Sequence, residues 1–431
     1  MKRFTLIFLC VCLAAGLLAC QKEPTNTTDQ TSDSRDTRET TVPADTGETI
    51  LPEEPTDPAP VTTAPGDETD ANPLIAVSLN PVMEPAEAED GTVIFQYSYQ
   101  DVNVYIPQNL PAAQAIQEQM HGLIEESAGT AENIKAWAEE NYKGETDWLP
   151  YSYSITLTPT LLNSTVLSFS GELWDYAGGV HPNVTLISCS FSPVTGEMLH
   201  LRDVLSEEGM VDALYSMVLD KLTEYAATIG TTDSVYQDGY ENTVAAHFDL
   251  DKPAEENWYL TDTGMTFSFS PYEIASYAVG SIQVELTYGE LRGILREPYF
   301  PESASYDATL SINSAKAAQI DKSQFENVLP VAASAEGEEI VLFSGTTLYE
   351  VRMISGSWVQ DQFVDTQTIF AANRMTAEDL LLIRASIPDT QPNLSIVVRT
   401  GEGDDRTYFI SQSGEDGSIL LLDSAGEQSA S

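Results

Sequence analysis

Basic residues are scarce in this sequence. Its 431 residues include 19 Lys and Arg against 67 Asp and Glu, which gives a formal net charge of −48. Proteins that bind nucleic acid neutralise its phosphates with Lys and Arg, and polybasic membrane patches use the same residues. The sequence therefore excludes a nucleic-acid partner and a polybasic membrane patch. With 42% hydrophobic residues the chain can still bury a core, and its length indicates two or three domains.

Long apolar runs are also few. The only one covers residues 4–18, follows Lys2 and Arg3, and leads into Leu-Leu-Ala-Cys, which ends at Cys20. This pattern is typical of a signal peptide, and its end resembles a bacterial lipobox, in which the cysteine receives a diacylglyceryl group. We therefore expect a lipoprotein signal peptide over 1–20 and a lipid anchor at Cys20, which holds the protein on the extracellular face of the cell membrane. An ordinary secretory signal with an incidental cysteine is the alternative.

Cysteine is the third scarce feature, with four residues in the chain. Cys10 and Cys12 lie in the expected leader and Cys20 at its end, so Cys189 alone is expected in the folded part. A disulfide framework and a cysteine-ligated zinc site are therefore excluded. Cys189 lies in an apolar strand pattern, which predicts a small buried side chain rather than a reactive thiol.

Residues 21–73 contain almost no large apolar side chains and are rich in Thr, Asp, Glu and Pro. They include 3 basic and 13 acidic residues. Such a segment cannot bury enough apolar surface to offset the entropy lost on ordering. We expect a disordered, acidic tether that holds the folded part away from the membrane.

Residues 74–304 show both strand and helix patterns, which predict an α+β domain with an antiparallel sheet and packed helices. The predicted strands cover 93–106, 151–158, 166–174, 184–191, 265–270 and 282–288, and the predicted helices cover 112–126, 131–142 and 210–225. Residues 305–431 predict a small, mostly β C-terminal domain, a sandwich or barrel. A short helix over 316–328 precedes its strands, which are predicted at 340–343, 348–354, 380–387, 394–399, 407–412 and 418–422.

The first candidate binding segment lies between two predicted strands and ends at residue 183. Gly178 and Gly179 permit positive φ and close backbone approach, and His181 and Asn183 supply polar groups. These residue types at a turn indicate a ligand loop. A tight hairpin whose His and Asn hydrogen-bond their own turn is the alternative.

The second candidate segment follows the predicted strand 265–270. A turn begins at Pro271, and Tyr272, Glu273 and Tyr277 come directly after it. A carboxylate among aromatic side chains needs a partner, and His181 is the candidate. That pair would bring the two segments together, with a structural role favoured over acid–base chemistry.

These segments also carry a resemblance. The sequence contains three motifs: Gly-Gly-Val-His-Pro-Asn at 178–183, the Thr-Gly turn at 195–196 followed by Leu-Arg-Asp-Val-Leu at 201–205, and Phe-Ser-Pro-Tyr-Glu-Ile-Ala-Ser-Tyr-Ala-Val-Gly at 269–280. In combination, these motifs resemble the RsiV-like extracellular domain family. The likeness covers residues 90–300. It implies an α+β fold with an antiparallel sheet and, for some members of the family, binding of lysozyme. A similar domain precedes the catalytic region of PdaC-type peptidoglycan deacetylases.

The sequence departs from both kinds of relative. Sensors of the RsiV type carry a sigma-factor-binding segment and a membrane helix, which this sequence lacks. The deacetylases need metal-binding histidines at i and i+4, and no two of the four histidines have that spacing. We therefore expect neither a sigma-factor partner nor a deacetylase catalytic domain.

No catalytic motif is present: the sequence lacks a Gly-x-Ser-x-Gly elbow, a Gly-Lys-Ser or Gly-Lys-Thr phosphate loop and a His-Glu-x-x-His helix. It thus predicts no catalytic residue, metal or cofactor. The favoured interpretation is a surface-anchored, non-enzymatic binding or sensing lipoprotein of a Gram-positive-type envelope. Its expected partner is lysozyme, another cationic protein or a wall-derived ligand. The alternative is an accessory protein of cell-wall hydrolases or deacetylases that acts on peptidoglycan.

Overall fold

The structure is a computed structural model that describes residues 73–229, 235–301, 310–360, 362–388, 391–400 and 403–423. The expected signal peptide with Cys20, the expected tether up to residue 72 and the expected domain boundary at 304 lie outside the described residues. Helices and sheets are both present, and strands form the larger share, as the α+β prediction requires.

Four α-helices lie within the described residues: α1 (Leu110–Asn141), α2 (Leu201–Val204), α3 (Met210–Ile229) and α4 (Tyr240–Ala246). The strands of the first half are β1 (Ala76–Glu87), β2 (Val93–Tyr105), β3 (Tyr151–Leu162), β4 (Leu167–Tyr176), β5 (Asn183–Phe191), β6 (Trp258–Leu260), β7 (Gly264–Phe269) and β8 (Ile282–Thr287). The strands of the second half are β9 (Ile312–Lys316), β10 (Asn327–Ala332), β11 (Glu338–Ser344), β12 (Leu348–Val359), β13 (Gln362–Met375), β14 (Asp379–Ala385), β15 (Leu394–Arg399), β16 (Asp405–Gln412) and β17 (Ile419–Asp423).

The largest sheet has ten strands in the order β17-β16-β15-β12-β13-β1-β2-β3-β4-β5. Its neighbours are antiparallel except β2 and β3. The pair of β1 and β13, which aligns Ala76 with Ala372, joins strands from both sides of the expected boundary into one sheet. The division into two domains stays a prediction.

Two smaller sheets pack on the rest of the fold. The sheet β10-β14-β11-β9 shares a core with the C-terminal strands of the large sheet, and the sheet β6-β7-β8 shares a core with α3. None of the helices in the described ranges is long and apolar enough to cross a membrane.

Strand β3 shows why one face of the large sheet is buried. Its alternate residues Tyr151, Tyr153, Ile155 and Leu157 are buried, and they belong to the two cores that α1 covers. Burial of one large apolar side chain contributes about 1.5–3 kcal/mol. The polar residues between them lie on the opposite face, because successive strand residues point to opposite sides.

The structure corrects two helix predictions. Residues 112–126 and 131–142 form one helix, α1, because Ser127 does not end it: its hydroxyl donates to Ile124 O (2.7 Å) and contacts the Tyr97 hydroxyl (2.9 Å). The predicted helix over 316–328 is wrong. Lys316 ends β9, and two single 3₁₀ turns follow it, Ala317–Gln319 and Lys322–Gln324. The Asp321 carboxylate caps the second turn by accepting from the Ser323 amide, and β10 begins at Asn327, so no α-helix forms.

Glu290, just after β8, connects the sheet β6-β7-β8 to α3. It accepts hydrogen bonds from Lys221 Nζ (2.9 Å) and from the Thr287 hydroxyl and amide (2.7 and 2.8 Å). These donors lower the pKa of the Glu290 carboxyl from 4.5 to about 2. Because the pKa is lower in the folded state, ionised Glu290 stabilises the fold above pH 4.5, and this contribution is lost as the pH falls toward 2.

We expect Glu290→Gln to lower the free energy of unfolding at neutral pH by no more than about 1 kcal/mol, since solvent screens this surface group. The difference from wild type should shrink as the pH falls from 4.5 toward 2. Urea unfolding of both proteins across this range measures it. A difference that grows in acid would contradict the assignment.

Candidate functional site

The two candidate segments of the sequence meet in an aromatic cluster at the surface, which we define as the exposed Tyr272 and the half-buried His181 and Tyr277. His181 lies in the loop between β4 and β5, and both tyrosines follow β7. The imidazole stacks on the Tyr277 ring with centroids 3.8 Å apart, and the two tyrosine rings are 5.4 Å apart. The cluster therefore presents a continuous aromatic surface built from segments 91 residues apart.

Hydrogen bonds determine which ring nitrogen of neutral His181 carries the hydrogen. Its Nδ1 lies 2.9 Å from the carbonyl oxygen of Pro182, which can only accept, so Nδ1 carries the proton. In the neutral ring Nε2 is then an acceptor, and it lies 3.3 Å from the Tyr272 hydroxyl. The imidazole is thus held in place from both sides, one contact from each segment.

Tyr272 has an uncommon backbone conformation. The turn starts at Ser270, whose carbonyl accepts from the Glu273 amide (3.1 Å), and Pro271 precedes Tyr272, whose φ is +70°. This position of a type II turn favours glycine, and a non-glycine residue there costs on the order of 1 kcal/mol or more. The turn nevertheless places a tyrosine there with 54% of its surface exposed. Strained, exposed residues of this kind concentrate at functional sites.

The predicted pairing of Glu273 with His181 is wrong. Glu273 does have a histidine partner, but it is His247 at the end of α4, whose Nε2 donates to Oε1 at 2.6 Å. The second oxygen of the carboxylate accepts from the Ser270 amide at 2.6 Å. Glu273 thus fixes the turn that carries Tyr272, rather than facing the cluster as expected.

Asn183, Gly178 and Gly179 fit the alternative interpretation of this loop as a tight hairpin that hydrogen-bonds to itself. The Asn183 side chain donates to Asp175 (2.9 Å) within the same hairpin. Gly178 and Gly179 have φ of +81° and +121°, as the sequence predicts for a turn. Between Gly179 and His181, Val180 is fully exposed. The loop therefore stabilises itself and still exposes an apolar tip.

Gly178 has a steric role that Gly179 lacks. A Cβ atom at Gly178 would lie 2.6 Å from the Tyr151 hydroxyl, whereas a Cβ at Gly179 would meet open space. We expect Gly178→Ala to lower the free energy of unfolding by about 2 kcal/mol, from the left-handed backbone and the clash together.

Gly91→Ala is the matched control, because Gly91 has nearly the same φ (+83°) and a Cβ there would meet nothing within 4 Å. It meets only the backbone penalty, so we expect a loss of about 1 kcal/mol. Thermal unfolding of the two variants beside wild type measures the difference. Equal losses would show that the contact with Tyr151 has no energetic effect.

Cys189 is buried in the core beneath α1, as predicted, with its Sγ 3.8 Å from the Met120 sulfur. Burial raises the pKa of its thiol to about 12. The thiol therefore stays protonated at neutral pH, and it is the thiolate that reacts. Across the described part of the chain, no three His, Cys, Asp or Glu side chains are grouped so that they could hold a metal ion.

Part of this region is similar to a family of known sequences. Residues 206–289 match the family model described as "Protein of unknown function (DUF3298)", and no curated protein matches the chain. A DUF3298 family protein from Pseudomonas aeruginosa PAO1 is similar in structure, with 15% identity over 52% of this chain and 96% of that chain, at a TM-score of 0.38. A DUF3298 family member from Bacteroides fragilis NCTC 9343 shares 16% identity over 53% of this chain and 94% of that chain, at a TM-score of 0.35. The matched segment contains α3, β6–β8 and the turn that carries Tyr272 and Tyr277.

Proposed function

We propose that this protein is a non-enzymatic binding lipoprotein of the cell envelope, held at the extracellular face of the membrane by lipid on Cys20. The aromatic cluster is its binding surface. The single observation that carries this proposal is Tyr272, because a strained backbone there keeps a tyrosine ring exposed beside His181 and Tyr277. Tyrosine is enriched among the residues that dominate binding energy at protein interfaces.

Charge supports a cationic partner. Residues 74–304, which contain the cluster, include 7 basic and 35 acidic residues. A negative field of this size accelerates encounter with basic proteins, and the effect weakens with salt. Lysozyme is the cationic partner that the resemblance to RsiV-like domains implies. On this proposal residues 74–304 are an RsiV-like α+β domain, and residues 305–431 are a C-terminal β-rich module whose strand β13 pairs with β1.

A calorimetric titration of the full chain with lysozyme tests the proposal. At about 0.15 M salt the Debye length is about 8 Å, so contacts at the site must contribute beyond long-range attraction. We expect saturable binding there. We further expect Tyr272→Gly to weaken the affinity at least about ten-fold, as for a tyrosine at the centre of an interface.

Tyr272→Gly separates binding from folding. Glycine adopts positive φ without strain, so the variant should unfold at the wild-type temperature or above it. Gln360→Gly is the matched control, because Gln360 also has positive φ (+51°) but lies in the turn between β12 and β13. The control should leave lysozyme affinity unchanged. Absence of binding at this salt concentration, or equal affinity in wild type and Tyr272→Gly, would overturn the proposal.

A further inference from the structure

A polar groove lies on the face of the large sheet that is opposite α1. Its volume is about 270 Å³. The groove is lined by side chains of β3, β4, β5 and β8, namely Ser154, Thr156, Thr158, Ser170, Glu172, Leu186 and Gln283, together with Gly171. None of these residues belongs to the aromatic cluster.

The register of the strands places the hydroxyl groups side by side. Thr156 is opposite Glu172, and Thr158 is opposite Ser170. Alternate residues of β3 share a face, so the hydroxyls of β3 form one row, and Glu172 with Ser170 forms a second row beside it. The floor of the groove is therefore an array of hydroxyls with a single carboxylate.

The small sheet β6-β7-β8 makes this face concave. The Ser168 hydroxyl of β4 accepts from the Leu260 amide of β6 (2.8 Å), and the Thr160 hydroxyl of β3 donates to Leu260 O (2.7 Å). These two hydrogen bonds hold the sheet β6-β7-β8 against one end of this face of the large sheet. Gln283 of β8 then lines the groove together with Glu172 of β4.

The polar groups of the groove keep their hydrogen-bonding capacity. Among the described residues, nothing hydrogen-bonds to the side chains of Thr156, Glu172 or Gln283, while Ser188, farther along β5, is satisfied by Asn257 (2.7 Å). A carboxylate accepts, and hydroxyl and amide groups both donate and accept. The groove thus offers both hydrogen-bond donors and hydrogen-bond acceptors to a bound ligand.

An aromatic side chain extends the same face. Trp174 is opposite Ser154 on β3 and Val184 on β5, which places it two positions along β4 from Glu172. Its ring is half-buried, and its indole N–H has no acceptor among the described residues. An apolar ring face with a free donor is suited to a ligand that is itself both apolar and polar.

We infer that this groove binds an uncharged saccharide. Sugar rings present hydroxyls that both donate and accept, and one face of C–H groups that packs on an aromatic ring. The volume lies just below the range of about 300–1,000 Å³ that holds drug-sized ligands, so it accommodates one sugar ring while Trp174 supports the next. Glu172 and the acidic surface disfavour anionic glycans through like-charge repulsion.

The test uses the full chain and two uncharged probes, chitotetraose and cellotetraose, titrated by calorimetry. We expect at least one probe to bind with a dissociation constant in the millimolar range or tighter. Glu172→Gln, Gln283→Ala and Trp174→Ala should each weaken binding by about ten-fold, as removal of a principal contact does. Gln283 is exposed, so its variant remains informative if Trp174→Ala fails to fold.

Matched controls separate the groove from general surface effects. Trp137→Ala removes an exposed tryptophan of α1, and Asp365→Asn removes an exposed carboxylate of β13. Both should bind the probe as wild type does. Failure of both probes to bind, or equal weakening by controls and groove variants, overturns the inference. Neither result depends on lysozyme, so the proposed function is tested separately.

Discussion

Replacing His247 with alanine is expected to lower the free energy of unfolding by about 3 kcal/mol. The substitution removes the donor to Glu273, whose side chain is only 22% exposed, and leaves that carboxylate partly buried without its partner. It also removes a ring that packs 5.1 Å from Phe269 in the core of α3 and β6–β8, which leaves a cavity. Urea unfolding of the full chain measures the loss.

His121→Ala is the matched control. The His121 side chain is 39% exposed, and its Nε2 lies 2.9 Å from the Val102 carbonyl oxygen and 3.5 Å from the Asp101 carboxylate, which is itself exposed. We therefore expect a loss below about 1 kcal/mol. A double-mutant cycle with Glu273→Gln separates the pair from the packing, and we expect a coupling of at least about 1 kcal/mol. If His247→Ala unfolds like the control, the pair does not hold the turn.

Changing Cys20 to serine is expected to move the protein almost completely from the membrane fraction to the soluble fraction. Serine has no thiol to form the thioether, and each CH₂ of a lipid chain buried in the bilayer contributes about 0.8 kcal/mol to anchoring. Loss of both acyl chains should therefore abolish stable attachment. Fractionation of cells that express the two forms measures this shift.

Cys12→Ser is the matched control, because Cys12 lies inside the apolar run of the expected signal peptide. The control should stay with membranes as wild type does. Retention of Cys20→Ser in the membrane fraction would show that the chain is attached by other means.

The sequence predicts strands well where one face is buried. Tyr151, Tyr153, Ile155 and Leu157 alternate with Ser and Thr, and this period of two fixes both the strand and its buried face. Positive φ at Gly178 and Gly179 follows equally from residue type. These features are local, so they can be read without tertiary information.

Features that depend on distant contacts could not be predicted. Nothing near Ser127 indicates that Tyr97 lies against it and that the helix continues. Likewise, the sequence shows that Glu273 needs a partner, but no spacing identifies His247, which lies 26 residues away in a different element. The groove could not be predicted either, because its lining combines residues of β3, β4 and β5 with Gln283 of β8, which is about 100 residues away in the sequence.

Hydrogen–deuterium exchange of the full chain with and without lysozyme tests most directly whether the aromatic cluster is the binding surface. We predict slower exchange, on binding, in the backbone amides of the loop 177–183 and of the segment 270–280. Unchanged exchange in both segments while another surface becomes protected, or no protection at saturating lysozyme, would contradict the account.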